Sequence, residues 1–520
     1  MPSTPRTWPL LAVLVVLAVP GGDAERDAAL KTITAKECAV RVETLAGPEM
    51  QGRGTPSAGL EKAARYVEEE LAACGLEPAG PEGSYRLPYQ LYCAVADPQG
   101  KAQWTDAAGA VQALELGTDF VPVPGSRPGA VRGVPVFAGY AIDASKEEWR
   151  DFASGKARGK LVFAFTREPR ADDPKLKRFD GAEPTEASTF ASKLRAVAEA
   201  GGIGLVLVPD PALDLDPGAT VPDLVPLPLP RNFSAARLGQ LAGWPDVPVI
   251  SMSRRAAEAI FATDLGKHHA DLDKRLRPKL LQAPEGVVVE YDAGLVEQEV
   301  PYFNLAARIR GSSGSGAVLI LGAHLDHVGW NHGDDAGRMR IHPGADDNAS
   351  GSAVLLEVAQ ACAALPPPQD DVLFLWFTGE ERGLLGSRAY CEEPLYPHTQ
   401  ALAMLNMDMV ARNDPRLLNV GGLWDRPEWA RFLRKQARAI RSDLELDFDQ
   451  GRDLYQRSDH FAFHEHNVPA LFFFEGDLNK NEVYHRPGDV AETVDPGKME
   501  RIGRLFAATA YALMWEGERP

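Results

Sequence analysis

The chain has no Cys-x-x-Cys pair. Its five cysteines, Cys38, Cys74, Cys93, Cys362 and Cys391, lie far apart along 520 residues, so neither a zinc ribbon nor a thioredoxin-type redox pair can be built locally. At most one or two disulfides are open to it, and the odd count leaves at least one thiol unpaired within the chain. Basic charge is also short. Lys and Arg total 55 against 73 Asp and Glu, a formal charge of -18, and a surface of that sign does not attract polyanions, which disfavours nucleic acid as a partner. No apolar run reaches the roughly 20 residues needed to cross a bilayer, so stable membrane insertion is not expected. A Gly-x-Ser-x-Gly elbow at a strand-to-helix turn is missing too. Gly311-Ser-Ser-Gly-Ser-Gly316 reads as a linker-like turn, which disfavours a serine hydrolase.

What remains is ordinary globular composition, 45% hydrophobic and 25% charged, and a length that allows two to four domains. Arg6 precedes an apolar run from Trp8 to Val19, followed by Pro20-Gly21-Gly22 and the small-x-small end Gly22-Asp23-Ala24. That is the tripartite pattern of a secretory signal, with cleavage expected near Ala24. Residues 1–24 therefore read as a signal peptide, and the remainder as exported, periplasmic or extracellular. No Cys follows the run, so a lipid anchor is not supported.

From Ala35 to about Gly75 the pattern is helical: a first amphipathic piece through Leu45, the Gly-rich loop Gly47 to Ala58, then Leu60 to Cys74 with Gly75 as a stop. Residues 25–120 are taken as the first part of a main domain. Between 121 and 265 short apolar strands such as Val134 to Phe137, Leu161 to Phe165, Leu205 to Val208 and Val247 to Ser251 surround one helix, Phe190 to Ala200, and form a β-rich insertion. Pro209 to Pro230 is dense in Pro and Asp and reads as a loop. Residues 266–520 carry the rest of the main domain, whose alternating strands and helices predict an α/β fold with a mostly parallel sheet and helices on both faces. The expected strands are Ala317 to Gly322, Val372 to Thr378, Leu402 to Met407 and Val468 to Phe474. The expected helices include Ser350 to Leu365, capped by Ser350, and Lys498 to Trp515.

Ligands of open α/β sheets bind at the carboxyl ends of strands. Here the first strand ends in His324-Leu325-Asp326, the second in Glu380-Glu381 and the third in Asp408, and Asp346-Asp347-Asn348 forms a tight acidic turn before a helix. His-x-Asp also occurs at His269-Ala-Asp271 and His332-Gly-Asp334, but neither ends a buried strand, and both are read as solvated loop residues. Imidazole and carboxylate are ligands of zinc, and a pair of zinc ions needs a shared carboxylate to hold them roughly 3.5 to 4 Å apart. So much negative charge on one rim repels itself unless cations are present. Two metals acting on one water and one carbonyl answer the demands of amide hydrolysis, with a further, uncoordinated carboxylate moving the proton.

At these residues the sequence resembles the co-catalytic zinc aminopeptidases, the family of secreted bacterial leucyl-type aminopeptidases and, more distantly, glutamate carboxypeptidase II. The resemblance covers about Ala35 to Ala113 and Gly286 to Glu516. It implies two zinc ions per chain: His324 and Asp408 on one, Glu381 and His485 on the other, and Asp347 between them, preferred to Asp346 because it directly precedes Asn348-Ala-Ser-Gly351. By the same resemblance Asp347-Asn348 is a cis peptide, Glu380 is general base and acid beside a metal-bridging hydroxide, Asp326 orients the imidazole of His324, and Tyr484 hydrogen-bonds the developing oxyanion. A lone loop histidine is ordinarily solvated, and only the resemblance raises His485 to a ligand. Arg457-Ser458-Asp459-His460 also matches a family element without adding a ligand; His460 and His464 lack the Glu of a His-Glu-x-x-His helix. The insertion, with Gly139-Tyr140-Ala-Ile142 and Arg158-Gly159-Lys160, resembles a protease-associated domain. The implied activity is an aminopeptidase acting on peptides with a free N-terminus. The alternatives are a carboxypeptidase, a dipeptidase or a glutaminyl-cyclase-like acyltransferase on the same fold, or a non-catalytic binding protein. Zinc is the family's usual metal; cobalt or manganese suits similar ligands.

Overall fold

The computed structural model describes residues 22–520 apart from 172, 174, 180–184, 214, 222–223, 230–239, 242, 293, 332–339, 425, 450–451 and 477. The apolar run of the expected signal lies outside the described residues, as does His332-Gly-Asp334. The expected cut at Ala24 falls in the first turn of a helix, Asp23–Leu30. Helix α1 (Ala35–Leu45) starts where the Thr34 hydroxyl accepts the Glu37 N–H, and it buries Cys38, Val42 and Leu45 at helical spacing. Helix α2 (Ala58–Ala73) is capped in the same way by Ser57, and Gly75, at φ 72°, turns the chain out of it.

Next comes a long strand, β1 (Arg86–Ala96). The Pro-rich stretch expected to be all loop adds a two-residue strand to its edge, β2 (Leu227–Pro228), with Leu227 opposite Ala94. Leu229 closes over Ala94 there, and an edge strand tolerates a proline's missing N–H.

Between these segments a second unit builds its own core. Its six-stranded sheet contains Pro135–Phe137, Leu161–Phe165, Gly204–Val208 and Val249–Met252. Against the expected span of 121–265, residues of this core run from Ala102 to Tyr291. Strand Val288–Asp292 closes back on Ala102–Thr105, a pairing of distant segments that neither segment's own pattern announces. His269 also departs from its expected place. It lies on a helix, Leu265–Arg275, is 8% exposed, and sets Nε2 2.9 Å from Asp210 Oδ1, so it is a partnered interior histidine rather than a solvated loop residue.

The chain returns in β3 (Leu295–Ile309), then β4 (Val318–His324), helix α3 (Gly351–Ala363), β5 (Asp371–Phe377), helix α4 (Leu385–Glu392) and β6 (Ala401–Met407). After these come β7 (Leu417–Gly421), helix α5 (Pro427–Ala439), β8 (Glu445–Asp447), helix α6 (His460–Glu465), β9 (Ala470–Phe474) and helix α7 (Pro496–Met514). The large sheet has the order β2-β1-β3-β5-β4-β6-β9-β7-β8. It is parallel at its centre, where β5, β4, β6 and β9 lie side by side, and antiparallel where β3 joins β5 and β7 joins β9.

Both faces are covered. Leu319, Leu321 and Ala323 of β4 pack with α1, α2, α3, α5 and α7, while Val318 and Ile320 pack with Tyr390 of α4 and Phe463 of α6. This alternation over two buried faces is why the central strands are apolar throughout. Ser350, the expected cap of α3, is itself helical and makes no cap bond. Its hydroxyl donates to Asp346 O, and Asn348 Oδ1 takes the Gly351 N–H at 2.9 Å instead. All five cysteines are unpaired. Among the described residues no helix is long and apolar enough to cross a membrane.

One buried cation ties three helices together. Arg41 of α1 pairs with Glu357 of α3 and Glu70 of α2, each at 2.5 Å, and donates to Gln360 at 3.0 Å. Glu357 is 2% exposed, so removing the guanidinium strands a charge in the interior. Arg41→Met is expected to lower unfolding free energy by about 3 to 5 kcal/mol, read from the urea midpoint.

Candidate metal centre

The parallel strands deliver their carboxyl ends to one rim. His324 is the last residue of β4, and Asp408 directly follows β6. After β5, Gly379 at φ 76° and Gly383 at φ 100° bracket Glu380 and Glu381 in a single tight turn, a conformation that glycine adopts without the clash a Cβ brings.

Asp347 stands between two groups. Its Oδ1 is 3.4 Å from His324 Nε2, which is 3.1 Å from Asp408 Oδ1. Its Oδ2 is 3.0 Å from His485 Nε2, which is also 3.0 Å from Glu381 Oε2. Donor atoms around a tetrahedral zinc with bonds near 2.0 to 2.1 Å lie about 3.3 Å apart. Both groups match that spacing and share one carboxylate, so the residues present suit a pair of zinc ions. Asp346 points elsewhere: it accepts the Ala411 N–H and the Asn481 amide.

The charges of the site make the same demand. Burial pushes the Asp347 carboxyl up, but its bonds to His324 and His485 outweigh this and hold it well below the usual range. Glu381 is brought to about 2 in the same way by His327 and His485, against burial and Asp347. Burial works against charging His485, yet Asp347 and Glu381 raise it to about 10. The acids thus favour the charged form of the imidazoles beside them, and the same negative charge attracts metal cations. Glu380 belongs to neither group. Burial lifts its carboxyl well above the ordinary range; His324 opposes this, and Glu381, Asp408 and Asp459 add to it.

Asp326 meets the imidazole of His324 through its main chain. The ring Nδ1 lies 3.1 Å from the main-chain oxygen of Asp326 and 3.7 Å from the side-chain Oδ1. The carbonyl is therefore the hydrogen-bond partner, and it leaves Nε2 facing the acids. The Asp326 carboxylate takes the Glu380 N–H at 3.2 Å.

Several residues here were not singled out by sequence. His327 Nδ1 is 2.8 Å from Glu381 Oε1, the oxygen His485 does not use; its only sequence signal is its place directly after Asp326. Asp489 accepts the N–H groups of Asp346 and Asp347 at 3.0 and 3.2 Å and is paired with Arg412 at 2.6 Å. One short segment thus carries both His485 and the anchor of the central carboxylate's backbone. Arg53, wholly buried, donates to Leu45 O, Leu325 O, Pro343 O and Gly344 O, bolting the end of β4 to the turn that bears Asp347. Burial pulls it down to about 10, while Asp489, Asp347, Asp326 and Glu381 favour its charge, so it stays protonated at neutral pH. His460 is a core ring stacked on Phe472 at 4.4 Å, held neutral by burial with its pKa at about 3.

A pocket opens beside the two groups. Asp347, Glu380, Asp408, Arg457 and Tyr484 line it together with the apolar Met409, Leu454, Phe472, Phe474 and Leu478. The Tyr484 hydroxyl receives the Arg457 guanidinium at 3.0 Å. Burial, with Asp347 and Glu381 nearby, raises its pKa further and keeps it protonated.

Residues 304–510 match the family described as Peptidase family M28. A probable leucine aminopeptidase of Arthroderma benhamiae is 30% identical over 204 residues, 38% of this chain and 54% of its own. Aminopeptidase YwaD of Bacillus subtilis is 31% identical over 210 residues, 39% of this chain and 42% of its own. The chain thus spans about half the length of these relatives. Among solved structures, the aminopeptidase from Aneurinibacillus sp. strain AM-1 aligns over 95% of this chain and 96% of that one at 18% identity and TM-score 0.47.

Replacing Arg53 by Met takes the guanidinium from Leu45 O, Leu325 O and Pro343 O, while Gly344 O keeps the Ala349 N–H at 3.1 Å. At about 1 to 3 kcal/mol for each buried group left unsatisfied, with partial relaxation, Arg53→Met is expected to cost at least about 3 kcal/mol, measured by chemical denaturation.

Proposed function

We propose, from the match of residues 304–510 to peptidase family M28, that the chain is an exported dizinc aminopeptidase that removes the N-terminal residue of peptides. The observation that carries this reading is Asp347, whose two oxygens face two separate imidazole and carboxylate groups at 3.0 to 3.4 Å. His324 and Asp408 would hold one zinc, Glu381 and His485 the other, and Asp347 both. When bound, such a pair supplies the Lewis acidity that lowers the pKa of water and polarises a carbonyl.

The protein's own groups divide the remaining work. Glu380, free of both ligand groups, takes the proton from the attacking water and returns it to the leaving amine. The Tyr484 hydroxyl, kept protonated, donates to the carbonyl oxygen as negative charge develops on it. Arg457 steadies that hydroxyl. The apolar residues Met409, Leu454, Phe472, Phe474 and Leu478 suit an apolar first side chain. The names of the two relatives, leucine aminopeptidase and aminopeptidase, support removal from the N-terminus. The tripartite pattern before Ala24 supports export, and the strand order of the insertion supports a protease-associated module that carries no catalytic group.

Peptides offered in free and N-acetylated form test the reading. Loss of single N-terminal residues from the free peptides only, abolished by a chelator, is expected by mass spectrometry; internal or C-terminal cleavage would overturn it. Leu at the first position should be cut at least about tenfold faster than Asp. Glu380→Gln is expected to lower kcat by about 10²- to 10⁴-fold with two zinc ions still bound by elemental analysis, and full activity in that variant would defeat the assigned role.

A further inference from the structure

Thr55 lies in the N-terminal loop, outside residues 304–510, and is 2% exposed. Its hydroxyl donates to Asp326 Oδ2 at 2.8 Å and accepts the Gly379 N–H at 3.1 Å. The other oxygen of the same carboxylate, Asp326 Oδ1, accepts the next N–H of the turn, that of Glu380, at 3.2 Å. A closed circuit results: hydroxyl to carboxylate, carboxylate to the Glu380 amide, and the adjacent Gly379 amide back to the hydroxyl. A hydroxyl is suited to this place because one atom both donates and accepts.

We infer that Thr55 is a positioning residue, which fixes the turn carrying Glu380 and Glu381 against the arm carrying His324. The inference rests on the peptidase reading above. Two successive side chains of that turn must diverge, Glu381 towards His327 and His485 and Glu380 towards the pocket, and the direction of each follows from the orientation of the peptide planes before it. Thr55 and Asp326 hold the N–H groups of Gly379 and Glu380, and with them the two peptide planes that lead into Glu380. Asp326 also presents its main-chain oxygen to His324 Nδ1, so anchoring its side chain anchors the imidazole. The segment before Thr55 is fixed to the same arm, since His327 N–H donates to Arg53 O at 3.1 Å and Gly329 N–H to Gly52 O at 3.0 Å. Thr55 touches no reacting atom; it acts through Glu380 and His324.

The test uses the full chain. Thr55→Val keeps the shape and removes the hydroxyl, leaving a buried carboxylate oxygen and a buried N–H unpaired; Thr55→Ser keeps the hydroxyl and removes a methyl group. Partners of this kind behind a metal site are worth about 10- to 100-fold in affinity or activity. Thr55→Val is therefore expected to lower kcat by about 10- to 100-fold with KM within about twofold, and to weaken zinc about tenfold in competition with a chromogenic chelator. Thr55→Ser should recover both. Thr55→Ala, without the steric demand of valine, is the second variant and should lose kcat to a similar degree if Thr55→Val does not fold. Unchanged kcat and zinc affinity in the hydroxyl-free variants, beside an active zinc-bound wild type, would overturn this inference alone, as would a serine variant as impaired as the valine one. A wild type that neither binds zinc nor cleaves peptides would overturn this inference together with the function it rests on.

Discussion

Asp347 has to offer one oxygen to each of two groups on opposite sides of it, and much of the surrounding structure serves that requirement. A carboxylate can do this only if its backbone is held and its neighbours do not turn it aside. Asp489 holds the two N–H groups at Asp346 and Asp347, and Asn348 turns inward to cap α3 and to reach the main chain at the end of β6. Asp346 is drawn away by Ala411 and Asn481. Two adjacent aspartates thus have opposite surroundings, which gives one a structural task and leaves the other to face the metal groups.

The cost of such a site is electrostatic. Five carboxylates, Asp326, Asp347, Glu380, Glu381 and Asp408, gather near three imidazoles in a largely buried site, and like charges at that separation cannot all ionise without positive charge among them. Arg53 supplies a permanent part of it from behind, through four carbonyls rather than through an ion pair. His324 and His485 supply more when protonated, and bound cations would replace those protons. This links the two halves of the chain. The loop carrying Arg53 and Thr55 contributes no ligand of its own, but it is packed into the site it supports.

Much of this was legible before any coordinates. His324, Asp408 and the Glu380-Glu381 turn could be assigned to one rim because each ends an apolar strand, and open α/β sheets put such ends on the same side. The two N-terminal helices and the central strands follow directly from apolar periodicity. His485 was identifiable only through resemblance, since nothing local distinguishes it from a solvated loop histidine. Where local reading failed, a tertiary contact had won. Ser350 is diverted from capping by Asp346 and Val410. His269 is drawn into a helix and against Asp210. The second core recruits strands on both sides of the span first assigned to it.

The sequence by itself therefore determined the elements, the parallel centre of the sheet and the kind of chemistry gathered at its edge, because periodicity and strand ends are local properties that act through the chain's own geometry. Only the tertiary structure decided which oxygen of Asp347 faces which group, that the Asp326 carbonyl rather than its carboxylate meets His324, and that His327, Asp489, Arg53 and Thr55 belong to the site. Thr55 stands 271 positions from Asp326 and 324 from Gly379, and side chains so far apart in sequence meet only because the burial of a common core folds the intervening chain between them.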